Sequence, residues 1–133
     1  MTKASRAALE ECRRAKKEAN SIREGLEDIN RTLYSIGAPR YGMPFEHGGA
    51  PTFRVETLLD KKDERLTRYA AALGAAMDAA AAAEAEIAKI EHPEARAAMR
   101  YYYVIGLPCW EVVAERLDRD VRTLLRWKER WTT

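Results

Sequence analysis

The sequence has few residues of the kinds that build disulfide, metal or catalytic sites. Its two cysteines, Cys12 and Cys109, and its two histidines, His47 and His92, lie far apart in a chain of 133 residues. A zinc site or a disulfide framework needs ligands at short spacings, so neither is expected. The histidines have no acidic or thiol constellation around them, so we expect no enzyme, no metal and no cofactor.

The sequence also lacks any apolar run near the roughly 20 residues that span a bilayer. Its start, Met-Thr-Lys-Ala-Ser, begins a charged segment rather than an apolar signal core. Neither a phosphate-binding glycine loop nor a nucleophile elbow occurs. We therefore expect a cytoplasmic protein without a membrane segment.

Charge is nearly balanced overall but not locally. The formal net charge is only +2, which alone does not indicate a nucleic-acid partner. Residues 119–131, however, contain five basic and two acidic side chains. The positive excess therefore lies at the C-terminal end, where a nucleic-acid interface is most plausible.

Helix-forming residues fill the sequence outside residues 37–53, which predicts an all-α protein. A first long helix is expected from about Lys3 to Ile36 and a second from about Val55 to Glu91. The segment 37–53 holds four glycines and three prolines, so we expect an irregular loop there.

Both long helices carry apolar or small residues at alternating spacings of four and three, the pattern of a coiled-coil seam. The first seam is Ala8, Cys12, Ala15, Ala19, Ile22, Leu26, Ile29, Leu33 and Ile36. The second is Leu59, Leu66, Tyr69, Leu73, Ala76, Ala80, Ala83, Ile87 and Ile90, with Lys62 as an interruption. Residues 1–92 are thus expected to form a long antiparallel helical hairpin, although a coiled coil between two chains would use the same seams.

Residues 93–133 are predicted to form a helix-turn-helix unit. One helix is expected from Glu94 to about Val104, and two short helices at about 109–117 and 120–131. A small residue is needed where the two short helices cross, and Ala114 occupies that place, while Asp120 can cap the second short helix with its carboxylate.

Basic side chains are expected on the outer face of the last helix. Arg119, Arg122, Thr123 and Arg126 would then reach base edges and phosphates in a major groove. We expect Lys128, Arg130 and Arg96 to anchor the DNA backbone. The alternative is that these residues form only a solvated helix face. A solvated face is what we expect for the basic cluster on the first long helix, Arg13, Arg14, Lys16 and Lys17.

A sequence motif extends through residues 100–126 of the predicted helix-turn-helix unit. It consists of Arg100-Tyr101, Gly106, Trp110-Glu111, Val113-Ala114, Leu117, Asp120, Thr123-Leu124 and Arg126. In this respect the chain resembles phage-encoded transcriptional regulators of the RinA/ArpU type and, more distantly, region four of bacterial sigma factors. Asp118 stands where these families have a turn glycine, and aspartate can adopt the left-handed conformation.

The resemblance implies a sequence-specific DNA-binding regulator of the phage or prophage late-gene activator type. Double-stranded DNA would be its partner, and the hairpin would serve homodimerisation or contact with RNA polymerase. Two other classes remain open. One is a phage packaging or assembly protein similar to a small terminase subunit, and the other is a protein-interaction module that uses the hairpin.

Overall fold

The computed structural model describes residues 2–37 and 49–133, with side chains for 2–35 and 55–133. Five α-helices account for most of them: α1 (Arg6–Gly37), α2 (Gly49–Ile87), α3 (Pro93–Met99), α4 (Trp110–Leu117) and α5 (Val121–Trp131). A π-helical turn, Arg100–Ile105, directly follows α3. The only β pairing within the described ranges is an isolated parallel bridge between Ala4 and Thr132. The expected all-α class is confirmed.

The second long helix begins earlier than expected. Residues 49–53, predicted as part of the irregular loop, are helical. Pro51 is compatible with this start, because the first turn of a helix has no internal partner for the N–H that proline lacks. Residues 38–48 of the predicted loop lie outside the described residues.

The same helix also ends earlier, at Ile87 rather than Glu91. Two hydrogen bonds between residues three positions apart follow its end, as in a 3-10 helix. The Lys89 amide donates to the Glu86 carbonyl at 3.1 Å, and the Ile90 amide donates to the Ile87 carbonyl at 3.0 Å. His92 then starts α3. Its Nδ1 accepts the Ala95 amide at 3.0 Å, so this isolated histidine is a helix cap.

Contacts divide the chain into two compact units. The first comprises residues 1–17 and 73–133, and the second comprises residues 18–72. Each unit therefore contains part of α1 and part of α2. The domains predicted from the sequence, residues 1–92 and 93–133, are a different division from these contact units. They stay a prediction.

The second unit buries one face of α1. Ala19, Leu26 and Ile29 are buried there, as the predicted seam requires. A Cβ atom on Gly25 would lie 2.7 Å from the Arg65 guanidinium nitrogen Nη1, so this guanidinium passes directly over the glycine. The missing side chain of Gly25 thus leaves the space that the Arg65 guanidinium occupies in this unit.

The predicted seam of α2 is wrong at its leucines. Leu59, Leu66 and Leu73 are 45%, 46% and 41% exposed, whereas Ala76 and Ala83 are buried. The packed face lies to one side of the leucine row. It includes the half-buried Lys62 that we expected to interrupt the seam. A lysine can take this position because its aliphatic stem covers apolar surface while its ammonium stays in water.

The core of the first unit is formed by the start of α1, the end of α2, and α3, α4 and α5. Its buried members are Ala4, Leu9, Cys12, Ala83, Ile87, Ile90, Ala95, Ala98, Met99, Tyr103, Val113, Ala114, Leu124 and Trp131. Cys12 is buried, as expected, and burial raises the pKa of its thiol. Cys109 is only half-buried, and both cysteines are free thiols.

Backbone bonds tie the first residues to the end of α5. The Ala4 amide donates to the Trp131 carbonyl at 2.8 Å, and the Thr133 amide donates back to the Ala4 carbonyl at 3.0 Å. The Arg6 guanidinium adds a bond to the Thr132 hydroxyl at 3.1 Å. The C-terminal turn of α5 is therefore held in place by the segment that precedes α1.

Tyr103 is 1% exposed, and burial raises its pKa to about 12. The folded state thus favours the neutral phenol, whereas an unfolded tyrosine titrates near pH 10. The stability that depends on Tyr103 should be fully present below about pH 10 and decline as the pH rises toward 12, by about 3 kcal/mol in all. Urea unfolding between pH 8 and 12 measures this decline. A Tyr103→Phe variant with an equally steep decline would contradict the assignment.

Candidate nucleic-acid interface

Helix α5 has two distinct faces. Leu124 and Trp131 are buried against the core, and the opposite face carries Arg122, Arg126 and Arg130, all exposed. These arginines are four positions apart, so they rise along the helix by about 6 Å each. The result is a row of three guanidinium groups on one side of a helix whose other side is fixed by packing.

An open groove runs along this outer face. It is lined by Arg122, Leu125, Arg126, Glu129 and Arg130. Leu125 is 41% exposed and gives the basic face one apolar contact point. The Glu129 carboxylate lies 3.5 Å from the Arg6 guanidinium, which offsets part of its negative charge. The groove therefore combines cationic side chains with a single exposed leucine.

Arg122 and Arg126 have no carboxylate partner within the part of the chain that the structure describes. Arg130 lies over the ring of its neighbour Trp131, with 5.4 Å from the guanidinium carbon to the ring centroid. Two of the three arginines in the row are thus available to an external anion without breaking an internal ion pair.

Arg119 and Arg96 lie outside the arginine row of α5, and each has a partner within the protein. Arg119 donates two bonds of 2.8 Å to the Glu94 carboxylate, which fixes it across the start of α3. Arg96 donates to the Ile90 carbonyl at 2.7 Å. Both residues were predicted to contact DNA. The structure gives each of them an internal partner, so neither joins the row on α5.

The other two predicted site residues lie at the edges of α5. Thr123 is half-buried, and its amide donates to the Asp120 carbonyl at 3.1 Å. Lys128 is half-buried on the side of α5 that faces α1. Neither belongs to the outer row of Arg122, Arg126 and Arg130.

The turn before α5 spans residues 118–120. Asp118 has φ 52° and ψ 50°, which confirms the left-handed conformation expected for it. Asp120 precedes the helix with extended backbone angles, but its carboxylate makes no capping bond, contrary to expectation. The Asp120 side chain is exposed and therefore keeps its hydration, while its carbonyl accepts the first amides of α5.

Helix α4 packs its inner face close to α5. Val113 and Ala114 are 0% and 6% exposed, as expected of residues at a helix crossing. At the start of α4, the Glu111 carboxylate accepts its own backbone amide and a bond from the Cys109 thiol, and these bonds lower its pKa. A negative charge near a helix N-terminus is also favoured by the helix dipole.

Two residues of the basic cluster on α1 are not merely solvated, contrary to expectation. Arg13 donates to the carbonyls of Tyr102, Leu107 and Pro108 at 2.8, 2.9 and 3.2 Å. Lys16 donates to the Val104 carbonyl. Tyr102 and Val104 lie near the end of the π-helical turn, where carbonyls lack partners within the helix, and Leu107 and Pro108 lie in the connection to α4. Arg13 and Lys16 supply donors to these carbonyls.

The Arg13 guanidinium is also the first layer of a three-layer stack. It lies 4.0 Å from the centroid of the Tyr102 ring. That ring stacks in turn on Trp110, with 4.1 Å between centroids and 11° between planes. Tyr102 and Trp110 therefore serve packing, and α1 is joined through Arg13 to the segment that leads into α4.

Comparison with models of protein families, with curated proteins and with solved structures finds no match for this chain. Within the described ranges, no group of three or more histidine, cysteine, aspartate or glutamate side chains could hold a metal ion. None of the described helices combines the length and apolarity needed to cross a membrane.

Sequence reasoning missed two features of the site. Leu125 lies three positions after Arg122, so helical periodicity alone could have placed it on the outer face. Lys17 and Lys128 line one pocket, although they are more than a hundred positions apart. No local sequence pattern could have predicted that Lys17 and Lys128 line the same pocket.

Proposed function

We propose that this protein binds double-stranded DNA through a helix-turn-helix formed by α4, the turn 118–120 and α5. In this proposal α5 enters the major groove. Arg122 and Arg126 contact base edges or the adjoining phosphates, Arg130 contacts the backbone, and Leu125 lies against the bases. Guanine is the expected base partner of an arginine that donates two parallel bonds.

The observation that carries the proposal is the row of exposed arginines on α5 opposite a buried face. The one carboxylate that lines this face, Glu129, lies 3.5 Å from the Arg6 guanidinium on α1. Arg122 and Arg126 face outward and have no carboxylate partner among the described residues. The buried Leu124 and Trp131 fix the direction in which they project. A rigid helix with projecting arginines suits recognition of a phosphate-lined groove.

The regulatory role rests on the resemblance to RinA/ArpU-type proteins and to sigma region four. On that basis the protein would control transcription in a phage or prophage late-gene programme, with RNA polymerase as a partner. One helix-turn-helix reads few base pairs, so selective binding calls for a second copy or a partner already on DNA.

Selection of bound sequences from a random DNA pool tests the proposal. We expect enrichment of a short motif containing at least one guanine. We also expect an affinity for that motif that falls linearly with the logarithm of salt concentration, because phosphate contacts release counterions. Recovery of no motif, together with binding that does not change with salt, would remove DNA as the partner.

A second candidate, an assembly or interaction protein, is favoured by the outer face of α2. Leu59, Leu66 and Leu73 follow one another at heptad spacing and are exposed, and Met77 is 66% exposed. Leucines at this spacing favour a coiled coil between helices of different chains. Sedimentation equilibrium separates the alternatives, because a monomer or dimer fits a regulator and a ring of many subunits fits a packaging component.

A further inference from the structure

A pocket of about 260 Å³ lies in the first unit, beside α5 and the start of α1. We call it the basic pocket. Its lining includes four cationic side chains, an acidic one and a buried tyrosine: Arg13, Arg14, Lys17, Lys128, Glu10 and Tyr103. These residues come from α1, from α5 and from the π-helical turn after α3, so only the folded unit brings them together.

The basic pocket lies on the other side of α5 from the arginine row. Lys128 is two positions after Arg126, which corresponds to about 200° around an α-helix. It is half-buried on the side of α5 that faces α1. The pocket shares no lining residue with the outer groove of α5. A ligand of this pocket is therefore a different molecule from the DNA that the arginine row would contact.

The formal charges around the basic pocket do not balance. Four cations and the Glu10 carboxylate line it. The Arg14 guanidinium is paired with the Glu11 carboxylate at 2.5 Å. Four positive charges less two negative ones leave a formal charge of +2. Cations held close together repel one another, so the pocket favours an anion.

One of these cations is held rigidly and two are available. Arg13 is fixed by three carbonyl oxygens and by the Tyr102 ring, so its charge is already ordered before a ligand binds. Within the described part of the chain, the ammonium groups of Lys17 and Lys128 have no carboxylate partner. These two groups are the charged donors that an anion would meet.

The Tyr103 hydroxyl supplies a neutral donor. Tyr103 is 1% exposed, yet its hydroxyl has no hydrogen-bond partner among the described residues. All fully enclosed side-chain oxygens of those residues have partners, so this hydroxyl is reached from the pocket that Tyr103 lines. Burial is the main cause of its raised pKa, and the charge of Glu10, another lining residue, raises the pKa further. A buried donor without a partner favours a ligand that accepts its hydrogen bond.

We infer that the basic pocket binds a small ligand that carries a phosphate group, either free phosphate or a phosphate monoester. Such a group carries a charge of about −1.5 to −2 at pH 7 and offers three strong acceptor oxygens. It therefore matches both the formal charge of +2 and the three donors of Lys17, Lys128 and Tyr103. The volume of about 260 Å³ is below the roughly 300–1,000 Å³ of pockets for drug-sized ligands, which favours a small one. The inference is independent of the proposed function.

The test measures the melting temperature of the whole chain in inorganic phosphate, in glycerol phosphate and in sodium chloride of equal ionic strength. The pocket variant is Lys17→Gln/Lys128→Gln, and its control is Lys61→Gln/Arg68→Gln. Each removes two positive charges, and the control pair consists of exposed residues of α2 outside the pocket. Glutamine keeps helix propensity close to that of lysine and arginine, and circular dichroism checks that both variants fold. Each protein is compared with its own melting temperature in chloride.

We expect phosphate at about 10 mM to raise the melting temperature of the wild type by about 5 °C, for a dissociation constant of about 1 mM, because the ligand binds only the folded state. The control should show the same increase. The pocket variant should bind about tenfold more weakly, which reduces the increase to about 2 °C or less. Tyr103→Phe keeps all the charges but loses the hydroxyl, and it should also weaken binding about tenfold.

Phosphate also stabilises folded proteins by exclusion from their surface, an effect that all variants share. A pocket variant whose melting temperature rises as much as those of the wild type and the control would therefore overturn the inference. So would a wild type that neither phosphate nor glycerol phosphate stabilises more than chloride does. A larger increase in glycerol phosphate than in phosphate identifies an ester as the ligand, and an equal or smaller one identifies free phosphate.

Discussion

Replacement of both Arg122 and Arg126 by alanine is expected to abolish selective DNA binding while helix content stays unchanged. Each arginine that donates two bonds to a base contributes about 1–3 kcal/mol of discrimination. Loss of two such contacts should therefore reduce the preference for the selected motif by about thirtyfold or more. Alanine favours helix at least as well as arginine, and both side chains project away from the core, so folding should be preserved.

The matched control is Lys61→Ala/Arg68→Ala, which removes the same charge from exposed positions of α2. Competition assays with the selected motif and a scrambled sequence measure the preference of each variant. The control should keep it. If the Arg122→Ala/Arg126→Ala protein still prefers the motif as strongly as the wild type does, α5 is not the reading helix.

Replacement of Arg13 by alanine is expected to lower the free energy of unfolding by about 3 kcal/mol. The variant loses three bonds from a charged donor to carbonyl oxygens and the contact with the Tyr102 ring. A bond to a charged group contributes about 1.5–3 kcal/mol and a partly exposed cation–π contact about 1 kcal/mol, although such contributions do not add fully. The melting temperature should fall by about 10 °C.

The neighbouring residue Arg14 supplies the control. Its side chain is 64% exposed and is paired with Glu11 on the same helix face, an arrangement that contributes less than about 1 kcal/mol. Arg14→Ala should therefore leave the unfolding curve nearly unchanged. Equal losses from the two substitutions, measured by urea unfolding at neutral pH, would mean that the carbonyl bonds of Arg13 contribute little to the folded state.

Several features of the C-terminal unit were predictable because they depend on neighbours in the sequence. The burial of Val113, Ala114 and Leu124 follows from helical periodicity, as does the outward direction of Arg122 and Arg126. The left-handed angles of Asp118 follow from its place in a three-residue turn between helices. In each case the controlling interactions span only a few residues, so composition and spacing carry the information.

Other features depend on residues that are distant in sequence. Arg119 seemed equivalent to Arg122 from its position, but Glu94, which holds it, is 25 positions away. The carbonyls that bind Arg13 lie about ninety positions further along. Side chains as long as arginine reach several directions, so their partners are set by which helices pack beside them. The basic cluster on α1 was misjudged for this reason.

The face on which α2 packs shows the same limit. The predicted seam placed Leu59, Leu66 and Leu73 in one row with Ala76 and Ala83. The structure buries the two alanines, as predicted, but leaves the three leucines exposed and packs the neighbouring row that includes the half-buried Lys62. Choosing between neighbouring rows of one helix requires the shape of the partner surface, which a single sequence does not contain.

By itself, then, the sequence determined that this chain is helical, where its short C-terminal helices turn, and which arginines point outward on the last of them, because these properties arise within a few turns of backbone. The tertiary structure decided which cations are bound internally, which row of α2 is buried, and that Lys17 and Lys128 share one pocket. Those outcomes depend on surfaces brought together across the whole chain, where packing and charge pairing between distant residues outweigh local preference.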